Sequence, residues 1–232
     1  MLAGKSYADC VISVIVPVRG EAPPDVERFR RFASSPEAEL LVADGSGDPA
    51  IADAFRRAGA RVLSGSGTRG ARLAAAARES RGEHLFFLHS DSRPPEGALE
   101  AVRRCLAGGA AGGAFSLAYE GAGPALRWIA AWANLRSRWL GLPFGDQGIF
   151  CGREAYERAG GFRDLPICDD LDFVRRLRRV GPLVILEEKT VTSPRRYVER
   201  GALAQVLVNW RVQIGYFAGV APDTLDRWYN EK

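Results

Sequence analysis

Leu85-Phe86-Phe87-Leu88-His89-Ser90-Asp91 decides how this chain is read. Four apolar residues in a row are too few for a buried helix and fit a short strand buried on both faces. The run then delivers an acid into a turn closed by Arg93-Pro94-Pro95. In an open α/β sheet, ligands lie at the carboxyl ends of the strands. A carboxylate at that place suits a hard divalent cation bridging phosphate oxygens. A plain turn or helix cap is the alternative use of Ser and Asp before Pro.

Outward from this strand, the chain alternates. Val11 to Val18 (VISVIVPV) is a β-branched run that predicts a second doubly buried strand. Pro23-Pro24-Asp25 opens a helix through Phe29 and Phe32, Leu40–Ala43 is a strand, and Ile51–Ala58 is a helix. Arg61–Leu63 is a short strand and Ala71–Ser80 an alanine-rich helix. Strands alternating with such helices predict an α/β fold on a mostly parallel sheet. Past residue 96 the rhythm loosens. Helices are expected at 95–106, 126–140, 155–159 and 169–180, extended segments at 113–119 and 183–186, and a long closing helix at 203–217.

With 232 residues, one domain with a substantial core is expected. Residues 1–95 would form a nucleotide-binding half, 96–200 a substrate and catalytic half, and 201–232 a C-terminal helix. Hydrophobic content of 47% and charged content of 26% are those of an ordinary globular protein. The net charge of +4 is spread along helices, which argues against a nucleic-acid footprint. Cys10, Cys105, Cys151 and Cys168 form no CxxC pair, which fits a reduced, cytoplasmic compartment. Residues 1–10 lack signal-peptide features, and no apolar stretch reaches the roughly 20 residues needed to span a bilayer.

Gly65-Ser66-Gly67-Thr68-Arg69-Gly70 matches GxGxxG. A dinucleotide fingerprint belongs in the first strand-to-helix turn, and this one follows the third strand, so turn glycines are its simpler meaning. Adjacent parallel strands would bring Pro17 and Asp44 to one rim, where Asp44 can accept hydrogen bonds from a base or ribose; Asp44-Gly45 as a mere turn is the alternative. Asp169, Asp170 and Asp172 open a helix, where acids suit the helix dipole. Three acids in four positions exceed what a cap requires, and mutual repulsion can raise one pKa.

Several segments occur in a telling order: Ser13-Val14-Ile15-Val16-Pro17, Asp44-Gly45-Ser46, Leu88-His89-Ser90-Asp91-Ser92-Arg93, Gly145-Asp146-Gln147-Gly148-Ile149-Phe150, Gly160-Gly161-Phe162, Asp169-Asp170-Leu171-Asp172 and Ser193-Pro194-Arg195-Arg196-Tyr197. In this order the chain resembles the family 2 glycosyltransferases with the Rossmann-like GT-A fold. It resembles in particular the small bacterial subgroup described as transferase 2, rSAM/selenodomain-associated.

The resemblance implies that Pro17, Glu21 and Asp44 hold the nucleotide of a nucleotide-diphosphate sugar. It implies that Ser90 and Asp91 bind the nucleotide sugar, Asp91 holding Mn²⁺ or Mg²⁺ with the diphosphate, and that Asp146 and Gln147 face the donor sugar or acceptor. Asp169-Asp170 would supply the catalytic base of an inverting transfer, Asp170 first and Asp169 as fallback. Arg69, opening the helix after the glycine turn, joins the donor-binding residues. Two departures stand out. His89 replaces the first acid of the metal motif, and an imidazole ligand favours Mn²⁺ over Mg²⁺. Arg72-Leu73-Ala74-Ala75 stands where relatives carry a Gln and an Asn, removing a polar contact to the donor.

Arg195-Arg196 could clamp the leaving diphosphate from a C-terminal loop, or lie solvated at a strand end. Trp128, Trp132 and Trp139, and the series Leu203, Val206, Leu207, Trp210, Ile214 and Phe217, recur at helical spacing beside arginines. Such stripes are usually core or an oligomer contact, and they also suit a peripheral membrane contact with a lipid-linked acceptor. The rival functions are a sugar nucleotidyltransferase, a sugar-nucleotide-binding protein without catalysis, and, more remotely, a dehydrogenase.

Overall fold

The structure, a computed structural model, describes residues 10–20 and 25–231. In chain order the elements are β1 (Ile12–Val18), α1 (Glu27–Ala33), β2 (Ala38–Asp44), α2 (Pro49–Arg57), β3 (Arg61–Ser64), α3 (Arg69–Glu79), β4 (His84–Phe87) and α4 (Ala98–Ala107). There follow β5 (Gly112–Tyr119), α5 (Pro124–Leu140), a 3-10 turn at Gly145–Gln147, β6 (Ile149–Gly152), α6 (Arg153–Arg158), α7 (Asp169–Leu177) and β7 (Leu183–Thr192). The helices α8 (Arg195–Arg200), α9 (Ala202–Phe217) and α10 (Pro222–Asn230) complete it.

These strands form a seven-stranded sheet in the order β3-β2-β1-β4-β6-β5-β7. β1 pairs in parallel with both β2 and β4, placing Pro17 beside Ala43 and Val18 beside Asp44. β6 runs antiparallel to β4 and to β5, and β7 returns parallel to β5. The fold is therefore mixed α/β with a mostly parallel sheet, as the alternation predicted.

The period of two distributes each central strand between two cores. Ile12, Val14, Val16, Phe86 and Leu88 face the layer of α1, α2 and α4, built on Phe29, Phe32, Phe55 and Val102. Ile15, Leu85 and Phe87 face the layer of α3, α6 and α7, where Leu73, Tyr156, Phe173 and Leu177 pack. Phe162 is wedged between Phe87 and Phe173, with ring centroids at 4.8 and 4.5 Å. This tight aromatic cluster fixes α7 against the end of β4, which is what locates the site.

Three expectations are corrected. The strand β6 was not foreseen, because four residues following a glycine-rich turn carry no periodic signal of their own. The helix expected at 203–217 is α9, but residues 201–232 hold a second helix, α10, which packs on α9 by setting Leu225 and Trp228 against Gly215. The pair Arg195-Arg196 opens the helix α8, not a loop or strand end. Glu21 and the helix-opening Pro23-Pro24 lie outside the described residues.

Candidate active site

The rim of β1, β2 and β4 gathers the first group of predicted residues. Asp44, at the last position of β2, is nearly buried. Its Oδ1 accepts hydrogen bonds from the Ser46 amide at 2.8 Å and the Ser46 hydroxyl at 2.6 Å, and Oδ2 accepts from Ser64 at 3.3 Å. These bonds fix the carboxylate at the sheet edge, next to the β1 terminus that carries Pro17. A neighbour that sequence reasoning assigned no contact is Arg72. Its guanidinium lies against Gly45, where a Cβ would come within 2.4 Å of Cζ. Nη1 donates to the Gly67 carbonyl at 2.7 Å, while Nε is buried without a partner. A cation therefore stands beside Asp44 where a lost polar contact was expected.

The second group centres on the three acids that open α7, and the structure gives each a different task. Asp172 is bound by Arg176 at 2.7 Å and by the Tyr216 hydroxyl at 3.2 Å, which ties α7 to α9. Asp169, only 3% exposed, accepts two hydrogen bonds from Arg69, at 3.0 Å from Nε and 2.6 Å from Nη2. A forked pair of this kind is geometrically specific and holds α3 to α7.

Asp170 is the acid that reaches the crevice. Its Oδ2 accepts from the Gly145 amide at 2.8 Å and its Oδ1 from the Leu171 amide at 2.8 Å, with Arg69 Nη2 3.4 Å away. Burial alone would raise the Asp170 carboxyl, but the Arg69 cation and the two amides outweigh it and hold the group below the usual carboxylate range. The preceding Cys168 has φ 60°, the one non-glycine in the left-handed region among the described residues, so the backbone is strained where α7 begins.

His89 closes the crevice from the end of β4. Arg69 Nη1 lies 2.9 Å from His89 Nε2. Because a guanidinium can only donate, Nε2 must be the accepting, unprotonated nitrogen. Burial first, and then the adjacent Arg69 charge, lower the His89 pKa, keeping the ring neutral. The crevice itself is narrow, lined by Pro17, Arg69, His89, Gly145 and Asp170. Gly145 is required there, since a Cβ would sit 2.5 Å from His89 Nε2 and 3.1 Å from Asp170 Oδ2.

Asp91 is exposed beyond half-buried Ser90, with Thr192 Oγ1 3.4 Å from its Oδ1. It is close enough for His89 and Asp146 to feel its charge. The donor set does not support the expected His89–Asp91 metal pair. The His89 lone pair faces Arg69, a full positive charge lies beside it, and no group of three His, Cys, Asp or Glu gathers for a metal among the described residues. Asp91 alone fits a cation held chiefly by substrate phosphates, the usual arrangement for Mg²⁺.

Asp146 and Gln147, adjacent in sequence, part company. Gln147 is fully buried. It accepts from Ser137 at 2.7 Å and donates to the Phe115 carbonyl at 3.0 Å, so it pins the 3-10 turn and does not face a ligand. Asp146 lies among Arg136, Tyr119 and Tyr197, the two tyrosine rings 5.3 Å apart. Burial raises the Asp146 carboxyl to about 6, against the pull of Arg136, and its Oδ1 has no hydrogen-bond partner. Arg136 and the two tyrosines were missed, because only the fold brings β5, α5 and α8 together. Arg196 lies over the Tyr229 ring at 4.9 Å and donates to its hydroxyl, so the diphosphate clamp expected of it would require leaving α10.

No family model matches the sequence, and no curated protein matches it. Solved structures do. TarS of S. aureus, residues 1–349 in complex with UDP-GlcNAc, superposes with TM-score 0.62 at 18% identity, covering 79% of this chain and 58% of that one. Mannosyltransferase PcManGT from Pyrobaculum calidifontis, in complex with GDP-Man and Mn²⁺, gives 0.65 at 18% identity, covering 88% of this chain and 61% of that one. Glucosyl-3-phosphoglycerate synthase from Mycobacterium tuberculosis, in complex with phosphoglyceric acid, gives 0.56 at 21% identity, covering 87% of this chain and 79% of that one. The chain thus spans about three fifths of the length of the first two. With the sheet order and the flanking helices, these likenesses show that the chain has the GT-A fold.

Proposed function

We propose that the chain is an inverting glycosyltransferase that moves a sugar from a nucleotide-diphosphate sugar to an acceptor hydroxyl. One observation carries the reading: an ionised carboxylate, Asp170, is held by the Gly145 amide and Arg69 in a crevice that also includes Pro17 and His89, at the ligand-binding edge of the sheet. The GT-A neighbours in complex with UDP-GlcNAc and GDP-Man agree with it. Placement in the rSAM/selenodomain-associated subgroup rests on motif order alone.

In this reading Asp44, with Pro17 and Arg72 beside it, receives the nucleotide. Asp170 takes the proton of the acceptor hydroxyl as its oxygen attacks C1. The C1–O bond to the diphosphate breaks on the opposite face, and the nucleoside diphosphate leaves with the bonding pair. Arg69 keeps Asp170 charged and oriented, and Asp169 keeps Arg69 in place, which makes Asp169 a positioning residue and not the fallback base. A cation held through Asp91 would neutralise charge developing on the leaving diphosphate. Asp146, poised near neutrality beside the crevice, faces the sugar or acceptor.

A thermal-shift screen of nucleotide-diphosphate sugars, with and without Mn²⁺, tests this reading, because a ligand of the native state raises Tm. A shift with one nucleotide class and slow release of nucleoside diphosphate are expected. Pyrophosphate release from a nucleoside triphosphate would favour the nucleotidyltransferase, and binding without any turnover the non-catalytic protein.

A further inference from the structure

Helices α5 and α9 each present an apolar stripe to solvent. On α5, Trp128, Trp132, Leu135 and Trp139 follow spacings of four, three and four; on α9, Leu203, Leu207, Trp210, Ile214 and Phe217 repeat the same spacing. Trp139 is 80% exposed and Ile214 68%, so these stripes are not core. Trp128 and Trp132 stack at 6.4 Å with ring planes 8° apart, giving a flat aromatic platform. The two helices are neighbours at both ends. Leu126 and Ile129 share a cluster with Ala202 and Val206, and Leu142, just past α5, lines one hollow with Phe217.

The charge on this face is mainly positive, although Arg211 of α9 is paired with Glu231 at 3.4 Å. Neither helix carries an acid. Arg127 on α5, and Arg178 and Arg179 after α7, are exposed and make no ion pair among the described residues, while Arg138 donates to the Ser116 hydroxyl at 3.0 Å. Arg175, Arg178 and Arg179 line the hollow beside Phe217.

We propose that this face docks on an anionic lipid bilayer. The tryptophans and aliphatic residues enter the interfacial layer, where amphipathic rings are favoured, and the arginines reach lipid phosphates. A second copy of the chain is a poorer occupant, because two helices without acids of their own would set the exposed arginines beside them against each other. No helix among the described residues is long and apolar enough to cross a membrane, so the contact lies in the plane of the surface. The docking is independent of the transfer reaction and stands or falls by itself.

Co-sedimentation of the full chain with phosphatidylcholine vesicles, alone or mixed with phosphatidylglycerol, tests the assignment. Pelleting with the mixed vesicles at low salt, weakened by high salt and absent with phosphatidylcholine alone, is expected. Trp139→Ser/Ile214→Ser and, separately, Arg178→Glu/Arg179→Glu should each return the protein to the supernatant with unchanged circular dichroism. The charge-reversal pair keeps the test decisive if the apolar pair disturbs folding. Protein left in the supernatant with anionic vesicles, or equal binding to neutral ones, would overturn the proposal. So would a dimer in light scattering that Trp139→Ser/Ile214→Ser converts to monomer.

Discussion

Arg69 and Asp169, separated by 100 positions in the chain, form a forked ion pair with contacts of 3.0 and 2.6 Å. The same guanidinium touches His89 at 2.9 Å and approaches Asp170 at 3.4 Å, so one side chain organises the crevice. Burial disfavours the Arg69 cation, but Asp169 and Asp170 more than restore it. Removing the arginine leaves a buried carboxylate unpaired, which costs about 3–5 kcal/mol. Arg69→Ala should therefore lower Tm sharply and abolish transfer. Arg69→Met/Asp169→Leu should recover much of the stability but no activity. A wild-type Tm for Arg69→Ala in a thermal melt would contradict the assignment.

Metal dependence separates Asp91 from His89. Asp91→Ala should remove the stimulation of donor turnover by Mn²⁺, whereas His89→Ala should leave the metal response in place while altering kcat, because its Nε2 is committed to Arg69. Titrating each variant with Mn²⁺ after treatment with a chelator reads this directly. A metal response lost equally in both would restore the paired-ligand model.

Asp146 carries a pH signature. Burial raises its carboxyl from the unfolded value to about 6, so its contribution to stability is complete below the unfolded pKa and is lost as pH rises through 6. Tm of Asp146→Asn relative to wild type should therefore climb between pH 4 and pH 7, whatever the constant offset of the substitution. A difference independent of pH would mean that folding leaves the Asp146 carboxyl at its unfolded value.

What the sequence made legible follows physical lines. β1 and β4 were readable because strands buried on both faces are continuous apolar runs, and their acid-bearing ends follow from strand direction. β6 was not, because its four residues gain their conformation from pairing with β4 and β5. The three acids of α7 marked the site but could not be told apart, since Arg69 and Gly145 come from α3 and the 3-10 turn, and only the Asp172–Arg176 pair lies within α7 itself. The stripes of α5 and α9 were visible as periodicity, which reports a shared helix face without saying what covers it. Gln147 was placed at a ligand by its position in a motif, whereas burial assigns it to the turn.

The central claim is that Asp170 is the base and that donor binding is assembled without it. The direct test is calorimetric donor binding alongside steady-state turnover for Asp170→Asn, a substitution that keeps the shape of the side chain. The account predicts a donor Kd within about twofold of wild type and kcat lowered by about 10²–10⁴, the usual share of general-base catalysis. Turnover close to wild type, or loss of donor binding together with turnover, would contradict it.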